Sequence, residues 1–283
     1  MDTKELQSIF LKKDISPAVL GQPKVKNQVI SALISGRHII IVGPPGVGKT
    51  TLAKDIASHL PDISAADYGT SPDGSGSAKK GKKIRGEDRF VRIQGSPDLT
   101  AEDLLGDIDP MKAMKYGPLS IEAFTPGKIF KANKGILFFD EVNRCSEKLQ
   151  NALLQVLEEG RATIGSYEVD FPTDFIFIGT MNPKDFSTEN LSDVFLDRFD
   201  LIHMGYPETL EIEKEIVMTR SQQILNLKKK QNVALSSMII AYVRSLRNSQ
   251  KLERFPSVRA SIGVLERTQA NALIDKRSEM TIE

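Results

Sequence analysis

Five short, nearly unbroken apolar runs, separated by helix-like segments, dominate the pattern of this chain. His38-Ile39-Ile40-Ile41-Val42, Phe90-Val91-Arg92-Ile93, Gly135 to Phe139, Phe175 to Gly179 and Leu201 to Met204 read as buried strands. Between them apolar residues recur every three or four positions. Val25, Val29, Ile30, Leu33 and Ile34 mark a helical lead-in within residues 1–37, Thr51 to Leu60 reads as a second helix, and Leu149, Leu153 and Leu157 with Ala152 and Val156 mark a third. Strand–helix alternation with apolar strands predicts an α/β domain, a parallel sheet covered by helices on both faces. After Pro207 the strand pattern stops, and helical stretches near 208–226, 236–247 and 260–274 predict a small all-helical domain. The expected division is 1–206 and 207–283.

The first strand run leads directly into Gly43-Pro44-Pro45-Gly46-Val47-Gly48-Lys49-Thr50, and a helix-like run follows. Strand, glycine-rich loop and helix in that order make a phosphate cradle: backbone N–H groups turn inward, and the helix N-terminus adds partial positive charge. Pro45, Gly46, Val47, Gly48, Lys49, Thr50 and Thr51 are the expected cradle, with Lys49 reaching the terminal phosphates and the Thr50 hydroxyl ligating Mg²⁺. Ile136-Leu137-Phe138-Phe139-Asp140-Glu141 is an apolar run ending in two carboxylates. Ligands of open parallel sheets gather at strand ends, so Asp140 is the candidate Mg²⁺ holder and Glu141 the candidate group that polarises an attacking water. Asn182, in Thr180-Met181-Asn182-Pro183, is open to two readings: a donor to phosphate or water, or an Asn-Pro turn. Arg198, in Leu196-Asp197-Arg198-Phe199, and Arg259, in Pro256-Ser257-Val258-Arg259-Ala260, each read either as surface ion pairs or as cations for transition-state charge.

Composition adds limits. The 283 residues are 40% hydrophobic and 27% charged, and 38 basic against 37 acidic residues leave a net charge of +1, so nothing calls for nucleic acid or an anionic surface. Cys145 is the single cysteine; no internal disulfide is possible, and a reducing, cytoplasmic setting is expected. No apolar run approaches the length of a membrane span, and the charged start Met1-Asp2-Thr3-Lys4-Glu5 does not resemble a signal peptide. Residues 70–88, with Lys79, Lys80, Lys82, Lys83 and Arg85, read as a solvated basic loop, the alternative being a contact for nucleic acid or an acidic partner. Lys228-Lys229-Lys230 reads as the end of a helix.

Taken together these motifs resemble the AAA+ ATPases over nearly the whole chain, and more narrowly the MoxR and magnesium-chelatase ATPase-subunit group. The likeness rests on Val19-Leu20-Gly21-Gln22, Ile93-Gln94-Gly95-Ser96-Pro97-Asp98-Leu99-Thr100, Asp103-Leu104-Leu105-Gly106-Asp107, Asp140-Glu141-Val142-Asn143-Arg144, Leu196-Asp197-Arg198-Phe199 and Ser257-Val258-Arg259-Ala260. The resemblance implies a five-stranded parallel sheet between helices, a helical lid, and Mg²⁺-dependent ATP hydrolysis at a site between the two. It implies Lys49 and Thr50 as Walker A, Asp140 and Glu141 as Walker B, Asn182 as sensor 1, Arg198 as an arginine finger serving a neighbouring subunit and Arg259 as sensor 2. Val19, Leu20 and Gly21 would flank the adenine. Insertions near 104–128 and 162–171, the latter a hairpin, would face a central pore or a partner. The implied assembly is a homo-oligomeric ring, a hexamer, working with a von Willebrand- or integrin-like partner as chaperone, remodeller or metal-loading factor. The chelatase motor, a helicase-type nucleic-acid motor and a slow nucleotide-gated scaffold are the alternatives. Relatives of the chelatase type often carry cysteines where residues 61–89 lie, and this chain has none there. Members of the group also continue beyond Thr281-Ile282-Glu283, so the lid is expected to be incomplete.

Overall fold

The computed structural model describes residues 3–11, 14–64, 83–117, 120–164, 167–172, 174–183, 191–225, 230–249 and 251–281. They fall into two compact units. One holds Met1–Ala18, Lys24–Gly43 and Lys49–His203; the other holds Val19–Pro23, Pro44–Gly48 and Met204–Glu283.

The first unit is an α/β layer structure. The strands of its main sheet are β1 (His38–Val42), β2 (Phe90–Gln94), β3 (Ile136–Asp140), β4 (Ile176–Met181) and β5 (Phe199–His203). They lie in the order β5-β1-β4-β3-β2, every neighbouring pair parallel. Ile39, Ile40, Ile41, Phe138, Phe139 and Phe177 are wholly buried. This is what apolar runs without alternation anticipate, since a parallel sheet buries both faces. Aromatic rings tie the strands together: Phe139 and Phe177 stack at 6.0 Å and Phe177 meets Phe199 at 5.0 Å. His38 opens β1 among Phe175, Phe177 and Phe199, and its Nδ1 accepts the Phe177 N–H at 3.1 Å. Burial holds this imidazole well below its ordinary range, at about 4.

Helices of this unit are α1 (Thr3–Phe10), α2 (Pro23–Ile34), α3 (Lys49–His59), α4 (Ala101–Leu105), α5 (Pro110–Tyr116), α6 (Lys128–Lys131), α7 (Glu147–Glu159) and α8 (Asp193–Leu196). α7 buries Leu149, Leu153 and Val156 on one face and stops at Gly160, whose left-handed φ of 61° suits a residue without a β-carbon. The insertion expected near 104–128 is a hairpin, Gly106–Ile108 against Phe124–Pro126, that carries α5 at its tip. Asp109 caps α5, accepting from the N–H groups of Met111 and Lys112. No residue of α5 is buried. The expected hairpin at 162–171 is Arg161–Ile164 paired antiparallel with Tyr167–Pro172.

The second unit is built on α9 (Leu210–Arg220), α10 (Lys230–Leu246) and α11 (Val258–Ile274) around Val217, Leu235, Ile240, Val258, Leu265 and Met280. Two expectations need correction. α9 stops at Arg220 rather than near 226, because Ser221 is extended, with ψ of 146°. α10 starts at Lys230, six residues before the expected 236. Its first turns bury Asn232 and Ser236, polar residues that hide the apolar period; Asn232 Oδ1 accepts the Met280 N–H at 2.9 Å, and Ser236 Oγ donates to the Asn232 carbonyl. Lys230 therefore opens a helix where a helix end had been expected, while Lys228 and Lys229 lie outside the described residues, as do 70–82 of the basic loop. A buried charge cluster braces this unit. Glu213, fully buried, takes Arg247 in a bidentate pair at 2.6 and 2.7 Å, Arg244 at 3.0 Å and the Ser261 hydroxyl at 3.0 Å.

Candidate active site

In parallel strands every C-terminal end lies at the same edge of the sheet. β1, β4 and β3 are neighbours, and the segments leaving them bring Lys49, Thr50, Asn182, Asp140 and Glu141 to that edge. The Gly43 N–H donates to the Met181 carbonyl at 3.0 Å, so the phosphate loop starts beside the residue preceding Asn182. Lys49 and Thr50 open α3, and Lys49 Nζ donates to the Gly43 carbonyl at 2.5 Å. Within the loop Gly46 and Gly48 have φ of 77° and 108°. An added β-carbon on Gly46 would stand 3.1 Å from Ser257 Oγ and 3.2 Å from Arg259 Cγ, so Pro44–Gly48 runs along the N-terminus of α11, where Arg259 is the second residue. A β-carbon on Gly48 would touch Val19, and one on Gly21 would touch Ile212. Val19 and Gly21 thus line the same helical unit as the loop, with Leu20 between them.

The two carboxylates are held by their neighbours. Thr180, buried near the end of β4, accepts the Glu141 N–H at 2.9 Å and donates its hydroxyl to Asp140 Oδ1 at 2.7 Å. Arg92 of β2 donates to Asp140 Oδ2 at 2.7 Å. Gln94, two residues on and so on the same face of β2, donates its amide to Glu141 Oε2 at 2.9 Å. Arg144 pairs with the same oxygen at 3.2 Å. Glu141 itself has φ 56° and ψ 52°, a left-handed conformation that costs a side-chain-bearing residue about 1–2 kcal/mol. The surrounding bonds pin that strain, and strained non-glycine residues collect at working sites. Gly95 makes the arrangement possible, since an added β-carbon there would fall 2.1 Å from the Glu141 carbonyl oxygen. Among the described residues no three His, Cys, Asp or Glu side chains converge as a metal cage.

Comparison with known proteins completes the picture. The family described as AAA domain, dynein-related subfamily, matches residues 79–199, and magnesium chelatase, subunit ChlI, matches 15–87. The YeaC protein of Bacillus subtilis is 29% identical over 286 residues, covering 93% of this chain and 78% of that protein. The ChlI homolog of Methanocaldococcus jannaschii is 32% identical over 198 residues, covering 65% of this chain and 53% of its own. The chain belongs to the AAA+ ATPases. Among them it is similar to the magnesium-chelatase ATPase subunit ChlI. It spans about half the length of that chelatase relative. A solved complex of the magnesium-chelatase subunits BchI and BchD has the same fold, with a TM-score of 0.55 and 20% identity over 93% of this chain and 90% of that one.

Membership of this family makes the chain a nucleotide-binding protein of the AAA+ ATPase type. Its remaining cation lies elsewhere on the sheet. Arg198 precedes β5, whose first residue Phe199 pairs with His38 at the start of β1. Arg198 therefore stands at the N-terminal edge, a strand length of about 15 Å from the edge carrying the loop, and pairs there with Glu158 of α7. Sequence reading alone did not mark Arg92, Gln94 and Thr180 as site residues. The signal available for the first two was their alternation with Val91 and Ile93, which sets two polar side chains on one face of a short strand.

Proposed function

We propose that this chain is the motor of an AAA+ ring that remodels or metal-loads a client protein, with each catalytic site shared between adjacent subunits. The observation that carries the reading is the position of Arg198, at the sheet edge opposite Lys49 and Thr50. A guanidinium so placed serves a neighbour's nucleotide, not its own. Lys49 would bind the terminal phosphates, Glu141 would orient the attacking water, Asn182 would donate to the γ-phosphate, and Arg259, beside the loop, would sense it. Thr50 and Asp140 are oxygen donors of the kind Mg²⁺ takes, and a magnesium ion brought by nucleotide needs only one or two of them. Thr180, with its hydroxyl already given to Asp140, fixes that carboxylate in place. When bound, the ion would neutralise phosphate charge. Met111 and Met114 on α5, 76% and 86% exposed, give the insertion an adaptable apolar tip suited to a client or a partner carrying a von Willebrand-type domain.

Complementation tests the sharing. Lys49→Ala and Arg198→Ala proteins should each be inactive alone. Mixed, they should regain ATPase activity, because an intact Lys49 then meets an intact Arg198 across an interface. A mixture that stays inactive, from proteins that each assemble, would sink the reading. A second reading, the ATPase subunit of a metal chelatase, is favoured by the ChlI match over residues 15–87. It predicts turnover stimulated by a BchD-type partner.

A further inference from the structure

The contact between Arg92 and Asp140 places a fixed cation on the carboxylate that the proposed function assigns to the metal. Each Asp140 oxygen has a donor: Thr180 on Oδ1 and Arg92 on Oδ2. The two donors differ in kind. Thr180 is buried and is anchored by the Glu141 N–H, so it stays. The Arg92 side chain is half exposed, so its ion pair is weak and open to exchange. Its guanidinium also reaches Gln94 Oε1 at 3.4 Å, and Gln94 in turn holds Glu141.

We propose that Arg92 is an internal counter-ion that competes with a divalent cation for Asp140, and so sets the metal concentration at which the site loads. Without metal the guanidinium neutralises Asp140, which would otherwise repel incoming phosphate. A dication at Asp140 displaces it, because two like charges cannot share one carboxylate face at close range. The displaced guanidinium remains beside Gln94, so metal arrival is felt at Glu141 through one side chain. Arg92 is a positioning residue in this scheme and touches neither phosphate nor water. The inference rests on the reading of Asp140 as the metal holder.

The test is the binding of a fluorescent ADP analogue to the full chain, titrated with Mg²⁺. Arg92→Gln should lower the half-saturating Mg²⁺ about threefold or more and weaken binding in excess chelator. Arg92→Lys, which keeps the charge, should stay close to the wild-type midpoint. An unchanged or higher midpoint in Arg92→Gln would overturn the proposal, leaving Arg92 a brace for the carboxylate. Asp140→Asn separates the two levels of the argument. If it abolishes the Mg²⁺ response while Arg92→Gln leaves the midpoint alone, the metal reading stands and this inference falls. If the wild-type protein binds the analogue with no response to Mg²⁺, the metal reading falls and takes this inference with it.

Discussion

Two clusters in this protein pair arginines with glutamate or aspartate, and they behave as opposites. At the sheet edge Asp140 and Glu141 meet Arg92 and Arg144, whose side chains are 51% and 36% exposed. In the helical unit Glu213 is wholly buried and Arg247 nearly so. The same chemistry in water makes exchangeable contacts worth little to stability. Out of water it makes a clamp that cannot lose one partner without stranding a charge. Burial pushes the Glu213 carboxyl upward, but hydrogen bonds and charge from Arg247, then bonds from Arg244 and Ser261, outweigh it and hold the group below its usual range. The clamp also reaches the residues that flank the loop Pro44–Gly48. Arg247 Nε donates to the Pro256 carbonyl, next to Ser257 and three residues from Arg259 beside the loop.

The contrast can be broken in order of effect. Glu213→Ala should destabilise the protein by about 3–5 kcal/mol, because Arg244 and Arg247 lose their counter-charge; chemical denaturation measures it, and a loss under 1 kcal/mol would put the clamp on the same footing as a surface pair. Glu141→Gln should do the reverse. Turnover should drop on the order of 10²–10³-fold, while nucleotide affinity and unfolding midpoint change little. A variant that unfolds early would mean the strained Glu141 is structural after all.

Acid should expose the buried groups next. His38 titrates at about 4 when folded and at 6.5 when free, so between those values the unfolded chain binds the extra proton. Its contribution, about 3 kcal/mol by linkage, is whole above pH 6.5 and lost as pH falls towards 4. Glu213, depressed below its ordinary value, adds a further loss at still lower pH. Urea midpoints from pH 7 to 5 should fall, and His38→Gln, still able to accept the Phe177 N–H, should lack that part of the slope. The smallest effect should come from Glu158→Ala. Its pair with Arg198 is exposed on both sides, so stability should move by less than about 1 kcal/mol.

Much of the fold, and the candidates for the site, were readable along the chain because the signals are local. A loop between a strand and a helix, or an apolar run ending in Asp140 and Glu141, is written in consecutive residues. His38–Val42 matches its strand to the residue, while α9 and α10 were misjudged where polar side chains such as Asn232 are buried on partners far along the chain. Thr180, Arg92 and Gln94 were hidden for a related reason. Their partners lie 39 to 48 residues away, and only the order β5-β1-β4-β3-β2, which no run of residues spells out, makes them neighbours. The parallel direction of the strands, rather than their order, sets Arg198, before β5, and Lys49, after β1, at opposite edges.

Gly95 carries a practical consequence. It has no charge, no hydrogen-bonding side chain and no reach towards a ligand, yet the Glu141 carbonyl leaves it no room for a methyl group. A survey that swaps every acid and base around Asp140 and Glu141 would pass over it. Anyone wishing to silence the ATPase without altering its charge pattern, and so without disturbing whatever reads that pattern from outside, has a handle in that one missing carbon.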